Sequence, residues 1–223
     1  MKRLYLFDID GTLIRSGGAG KRSFNKAFNE IFGIDNAFDD IPMHGMLDPI
    51  IFQNALSFYG IISNNYYRKF KKLYLKYLSE ETKDISGWKV VEGVKSFLKK
   101  NQDNAFFALL TGNMYEGAKI KLEAVGLWDF FPEPEIGAFG DEAEERIHLG
   151  NIALKKIKKK RGIEFNKRDI IVFGDTQHDI AVAKHIGAQS VALSSGGISL
   201  NVLQKYQPDY LAENFTELMN IEF

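Results

Sequence analysis

At 223 residues, 45% of them hydrophobic, the chain is long enough to bury one sizeable core and a smaller satellite domain, which sets disorder aside. Its 29 basic and 29 acidic side chains cancel to a formal net charge of zero, so no global field holds a polyanion and nucleic acid is not expected as a partner. The absence of cysteine excludes disulfides, thiol nucleophiles and thiolate metal sites together, leaving oxygen and imidazole as the metal ligands on offer.

The chain opens MKRLYLFDIDGT. Residues 4–7 form a short apolar run that reads as a buried strand, and it stops at Asp8, too early for the hydrophobic core of a secretory signal. No later stretch reaches membrane-spanning length, so no membrane partner is expected and the cytoplasm is the expected compartment. From about Ser16 to about Ser86 the pattern is wholly helical. It predicts a cap domain over residues 16–86, inserted into a core made of residues 1–15 and 87–223. The expected cap helices are 21–32, one with Asp48 as N-cap and Pro49 at the first helical position, and 65–78. The last carries YYRKFKKLYLKYL, whose aromatics fall near helical spacing with lysines between them. That pattern predicts a core face with a solvated opposite face rather than a surface for stacking bases.

Three further strand-like runs follow at 106–110, 170–173 and 191–193. Helical patterns lie beside them: 115–125 ends at Gly126, 147–161 at Gly162, and 180–186 at Gly187, each glycine suited to a left-handed cap. The basic stretch from Lys155 to Arg161 closes its helix where cations complement the negative end of the dipole. Strands alternating with capped helices predict an α/β chain with a doubly wound parallel sheet and an inserted helical cap.

In open sheets of this type ligands bind beyond the carboxyl ends of the strands. The first strand is followed there by Asp8-Ile9-Asp10-Gly11-Thr12, the second by Thr111-Gly112-Asn113, and the third by Gly174-Asp175 with Asp179 beyond. Asp8 and Asp10 alone would suit a cation or a turn. Asp175 comes from another strand, and gathering carboxylates at one edge of an apolar scaffold is costly without a cation. An oxygen-only cluster suits a hard ion, magnesium above all, because it uses few protein ligands and bridges to phosphate. Thr111 precedes a helix, so its hydroxyl either cradles phosphate oxygens with the amides that follow or caps that helix.

The ordered set DIDGT, LLTGN and FGDTQHD resembles the haloacid dehalogenase superfamily of phosphohydrolases over nearly the whole chain. Within it, the chain is similar to the branch with a helical cap between the first and second motifs, which includes phosphoglycolate phosphatases and β-phosphoglucomutases. The resemblance implies a phosphatase of small phosphomonoesters in which Asp8 is the nucleophile and becomes an aspartyl-phosphate. Asp10 would protonate the leaving alkoxide and later deprotonate water. Mg2+ would be held by the Asp8 carboxylate, the Asp10 backbone carbonyl and Asp175, with Asp179 behind them, and Thr111 would bind a phosphate oxygen. The superfamily also places a basic residue before the third strand, usually in a KP dipeptide that this chain lacks. Arg146 stands at about the right place, and arginine grips phosphate bidentately; the alternatives are that Arg146 pairs with Glu142, or that Lys155, a few turns deeper, takes the role.

Two cap segments are expected at the site. One is the glycine-rich hinge from Ser16 to Arg22, with Lys21 and Arg22 as substrate-binding candidates beside Gly112 and Asn113. The other is the His44-to-Pro49 loop, in which the role of His44 is open. His148, His178 and His185 read as surface or packing residues, and Trp88 and Trp128 as anchors. Asp10 argues against the dehalogenase branch, which needs no second acid. A phosphomutase would share every core residue, and a non-catalytic binding module would be expected to have lost Asp8, Asp10 or Asp175. The expected partner is a small-molecule phosphate ester, with the chain a monomer or homodimer.

Overall fold

The computed structural model describes residues 2–62, 65–221 and 223. Strand β1 (Arg3–Phe7) leads into the short β2 (Ile14–Arg15), and helices α1 (Ala19–Phe32), α2 (Asp48–Phe58) and α3 (Tyr67–Glu81) follow before β3 (Lys89–Val90). Then come α4 (Val94–Asn101), β4 (Ala105–Leu109), α5 (Tyr115–Ala124), α6 (Leu149–Arg161), β5 (Ile170–Gly174), α7 (Gln177–Ile186), β6 (Gln189–Leu193), α8 (Leu200–Gln204) and β7 (Tyr210–Ala212). The main sheet has order β4-β1-β5-β6-β7, and every pairing in it is parallel.

Parallel strands are covered on both faces, so their side chains divide between two cores. Leu4 and Leu6 of β1 join Ala108, Ile170 and Val172 against Leu149, Ala153 and Ile157 of α6 and Val182 and Ala183 of α7. Tyr5 and Phe7 face the other way, where Phe7 stacks on Phe173 at 4.7 Å and Tyr5 on Phe97 of α4 at 6.0 Å. β1 lies between β4 and β5 with Phe7 opposite both Leu109 and Phe173. That register brings the three strand ends level.

The chain leaves this sheet through β2 and returns through β3, which pair antiparallel, Ile14 with Val90 and Arg15 with Lys89. Where the two linkers cross, a Cβ on Gly17 would lie 2.9 Å from the Gly87 carbonyl oxygen, and Gly17 has φ +58°. A side chain there would meet backbone as well as left-handed strain. Between the linkers, α1 to α3 pack around Phe24, Phe28, Phe38, Phe52, Phe70 and Tyr74, all buried. Phe70, Tyr74 and Leu78 form the buried face of α3, which bears out the reading of its aromatics as core.

α1 starts at Ala19 and α3 runs from Tyr67 to Glu81, each displaced by two or three residues from expectation. α2 begins at Asp48 after an N-cap at Leu47, so Asp48 is the first helical residue and Pro49 the second. Asp48 does not cap its own helix, because its carboxylate is engaged elsewhere, as described below.

Candidate active site

Asp8 leaves the end of β1 with its amide donating to the Phe173 carbonyl (3.0 Å), and the Leu110 amide donates to the Phe7 carbonyl (2.8 Å). Backbone pairing on both sides therefore fixes Asp8 between Thr111 and Asp175. Asp8, Asp175 and Asp179 are all buried, and each offers an oxygen within 4.8 Å of the others. Burial pushes the Asp8 carboxyl up to about 6, with Arg146 pulling it down and Asp179 and Asp10 pushing it up. Asp175 is pushed up to about 8 by burial first, then by Asp8 and Asp179. Like charges in a desolvated corner resist joint ionisation unless a cation joins them.

Arg146 is 8% exposed. Its Nη2 donates to Asp179 Oδ1 at 2.5 Å and lies 3.2 Å from Asp8 Oδ1. Burial works against its charge, but Asp179 and Asp8 more than offset this. The Glu142 carboxylate pairs instead with Lys156 (2.5 Å), and Lys155 is exposed on α6, outside the cavity lining. The alternatives for Arg146 thus have other geometry. Asp179 divides its carboxylate: Oδ2 accepts the Thr176 amide (3.1 Å) and hydroxyl (2.8 Å) in a capping box that starts α7, while Oδ1 holds Arg146. α7 begins three residues earlier than its apolar pattern suggests, because this box extends it.

Thr111 is buried, and its hydroxyl accepts the Asn113 amide (3.3 Å) and the Asn113 side-chain amide (2.9 Å). α5 starts four residues later, so Thr111 is not its cap. That duty passes to the cap domain: the Met114 amide donates to Asp48 Oδ2 (2.9 Å), and the Asp48 amide donates to the Gly112 carbonyl (2.8 Å). A Cβ on Gly112 would fall 2.1 Å from the Met46 carbonyl oxygen and 2.9 Å from Arg146 Nη1, so only glycine lets the cap loop lie so close. The loop's Gly45 packs on His178, which is half-buried.

A cavity of about 600 Å³ lies between cap and core. Asp8, Asp10, Thr111, Gly112, Asn113, Arg146 and Asp175 line its floor, and Lys21, His44, Asp48 and Ile51 are among the cap residues around it. Lys21 is paired with Asp39 at 2.8 Å. Arg22, expected at the substrate, is absent from the lining: it binds Glu81 and donates to the Gly17 carbonyl (2.6 Å), because the helical turn after Lys21 points it at α3. Gly196 and Lys121 are among the contributors that were not anticipated. Gly196 closes the cavity from the loop after β6, where the Ser195 hydroxyl donates to the Gly11 carbonyl (2.6 Å) and Arg15 Nε donates to the Ser195 carbonyl. Lys121 of α5, 4% exposed, donates to Asp10 Oδ2 at 2.5 Å. Burial acts to raise the Asp10 carboxyl, but Lys121 and Asn113 outweigh it and hold the pKa below its ordinary value.

Four carboxylates, Asp8, Asp10, Asp175 and Asp179, thus face two cations, Arg146 and Lys121. The donors are all oxygen, and among the described residues the Asp10 backbone carbonyl accepts no hydrogen bond. This set fits a divalent cation.

A parallel sheet with carboxylates at its carboxyl edge and a capped cavity above them puts a candidate active site where open α/β sheets bind ligands, and comparison with known proteins gives the family and, with it, a hydrolase of phosphoric esters. The model of the haloacid dehalogenase-like hydrolases matches residues 5–193, and the chain belongs to that family. It is 24% identical to a probable phosphatase, IndB, of Dickeya dadantii, over 98% of this chain and 93% of that one. It is 25% identical to pyrophosphatase PpaX of Halalkalibacterium halodurans, covering 97% and 94%. Among solved structures, β-phosphoglucomutase of Clostridium difficile superposes with a TM-score of 0.73 at 16% identity, covering 99% of this chain and 94% of that one. Among the described residues no helix is long and apolar enough to cross a membrane.

Proposed function

We propose that this chain is a magnesium-dependent phosphatase of small phosphomonoesters that carries the phosphoryl group on Asp8. The observation that supports this best is the grouping at the end of β1: Asp8 lies against Arg146, shares a 4.8 Å cluster with Asp175 and Asp179, and has Asp10 two residues on. In the first half-reaction an Asp8 oxygen bonds to phosphorus, the P–O ester bond breaks, and the departing oxygen takes a proton from Asp10. In the second, water bonds to phosphorus, Asp10 takes its proton, and the Asp8–phosphorus bond breaks.

Arg146 grips oxygens of the phosphoryl group whose phosphorus Asp8 attacks, and Thr111 with the Gly112 and Asn113 amides holds the others. Asp8, Asp175 and the Asp10 carbonyl would hold magnesium, which would supply positive charge that lets an anionic nucleophile meet an anionic phosphate. Asp179 keeps Arg146 and the Asp175 turn in place, while Lys21 and the 43–48 loop face the leaving group. The names of the relatives put pyrophosphate beside simple esters as a substrate to try.

The test is phosphate release from a panel of small phosphomonoesters and pyrophosphate, with magnesium or with excess chelator, for wild type and Asp8→Asn. Turnover should need both the metal and Asp8, with the variant reduced on the order of 10³-fold or more. Turnover surviving in Asp8→Asn would overturn the mechanism, and turnover surviving the chelator would remove the metal from it.

A further inference from the structure

Lys121 has no part in the mechanism above, yet the fold goes to some length to place it. It lies on the buried face of α5 beside Gly117, Ala118 and Leu122, where an ammonium is unfavourable unless paired. Its Nζ donates to Asp10 Oδ2 at 2.5 Å and to Asn113 Oδ1 at 2.6 Å. Asn113 Nδ2 donates in turn to the same Asp10 Oδ2 at 2.8 Å and to Thr111 Oγ1 at 2.9 Å. The three side chains close a triangle in which one oxygen of Asp10 receives two donors. Among the described residues the other oxygen, Oδ1, receives no hydrogen bond.

Lys121 stabilises the Asp10 charge, and it does more than that. The Asp10 side chain is 42% exposed and has solvent on its cavity side, whereas Lys121 is buried to reach it. Geometry is what the pairing adds: a carboxylate on a short stem turns freely about its last bond, and two donors on one oxygen stop that rotation. We propose that Lys121 is a positioning residue for proton transfer, pinning Oδ2 together with Asn113 so that Oδ1 is the oxygen that gives a proton to the leaving group and takes one from water. This rests on the acid–base role given to Asp10 above.

Two esters of similar shape separate this role from others. p-Nitrophenyl phosphate releases a stable phenolate that needs no proton, whereas p-nitrobenzyl phosphate releases an alkoxide that does. In Lys121→Met, kcat/KM on the benzyl ester should fall on the order of 10²-fold and on the phenyl ester by no more than about threefold. A substrate-binding or purely structural Lys121 would lower both alike, and equal losses, or no loss, overturn the proposal. Should Lys121→Met fail to fold by circular dichroism, Lys121→Leu, which also fills the site without a donor, takes the same measurement with the same discriminating ratio. Asp8→Asn is run beside it. Asp8-dependent turnover with an unchanged ester ratio overturns the Lys121 role alone, whereas turnover independent of Asp8, or none in the wild type, overturns the underlying mechanism and this inference with it.

Discussion

Asp48 stands in the first turn of α2 while its carboxylate accepts the amide that opens α5, so one residue serves two helices in two parts of the molecule. Burial pushes that carboxyl up to about 7, and Asp10 adds to the rise against the pull of Lys121 and the Met114 amide. In an unfolded chain an aspartate titrates near about 4. Between those values the folded protein keeps a proton that the unfolded chain releases, so this residue's contribution to stability declines as pH rises from about 4 to about 7. Asp48→Asn removes the titration and keeps an acceptor for Met114. Its Tm should exceed that of wild type at pH 8 and match it at pH 4 in thermal melts; the same gap at both pH values would show that folding leaves the pKa of this carboxyl where it stands in the unfolded chain. The positions of Asp8, Thr111 and Asp175 at the cavity were legible because each stands at the end of an apolar strand, and Asp10 lies two residues beyond Asp8. Lys121 was not, since KIKLE reads as an ordinary solvated helix face. A usable signal existed, because Lys121 falls where the stripe of Ala118 and Leu122 faces inward. The partner of Asp48 is 66 positions away along the chain, and nothing local announces it.

Elements with strong apolar runs, β1, β4, β5 and β6, were readable, and their parallel pairing follows from the helices between them. β2 and β3 have two residues each and β7 three, too short for any periodicity to show. What the strand ends do together depends on how closely the loops beyond them approach, and Gly112 sets that distance. Gly112→Ala would place a methyl group 2.1 Å from the Met46 carbonyl oxygen and push the cap loop or Arg146 aside. A displacement of about 1 Å at a reacting group costs roughly 10²-fold in rate. The variant should therefore keep its circular dichroism spectrum and lose activity by about that factor; normal kcat/KM would mean that the loop moves without consequence for the site.

Across the whole molecule, one apolar cluster runs from the sheet through α5 into the cap, with Tyr74 of α3 packed near Gly117. Phe70 lies within it, fully buried, stacked on Phe52 at 4.2 Å and edge-on to Phe24 at 5.1 Å. Phe70→Ala should destabilise by about 3–5 kcal/mol, the range for aromatic truncation in a packed core. Because the cluster is continuous, denaturant unfolding should stay a single transition in wild type, and two separate transitions would show the cap melting by itself. The two linkers meet at Gly17 and Gly87, and the excursion into the cap begins and ends at nearly one point. To the sheet the cap is a lodger behind a single door: the chain goes out and comes back through one two-residue antiparallel ladder, so β2 and β3 meet as they would across a tight hairpin, however much chain lies between them.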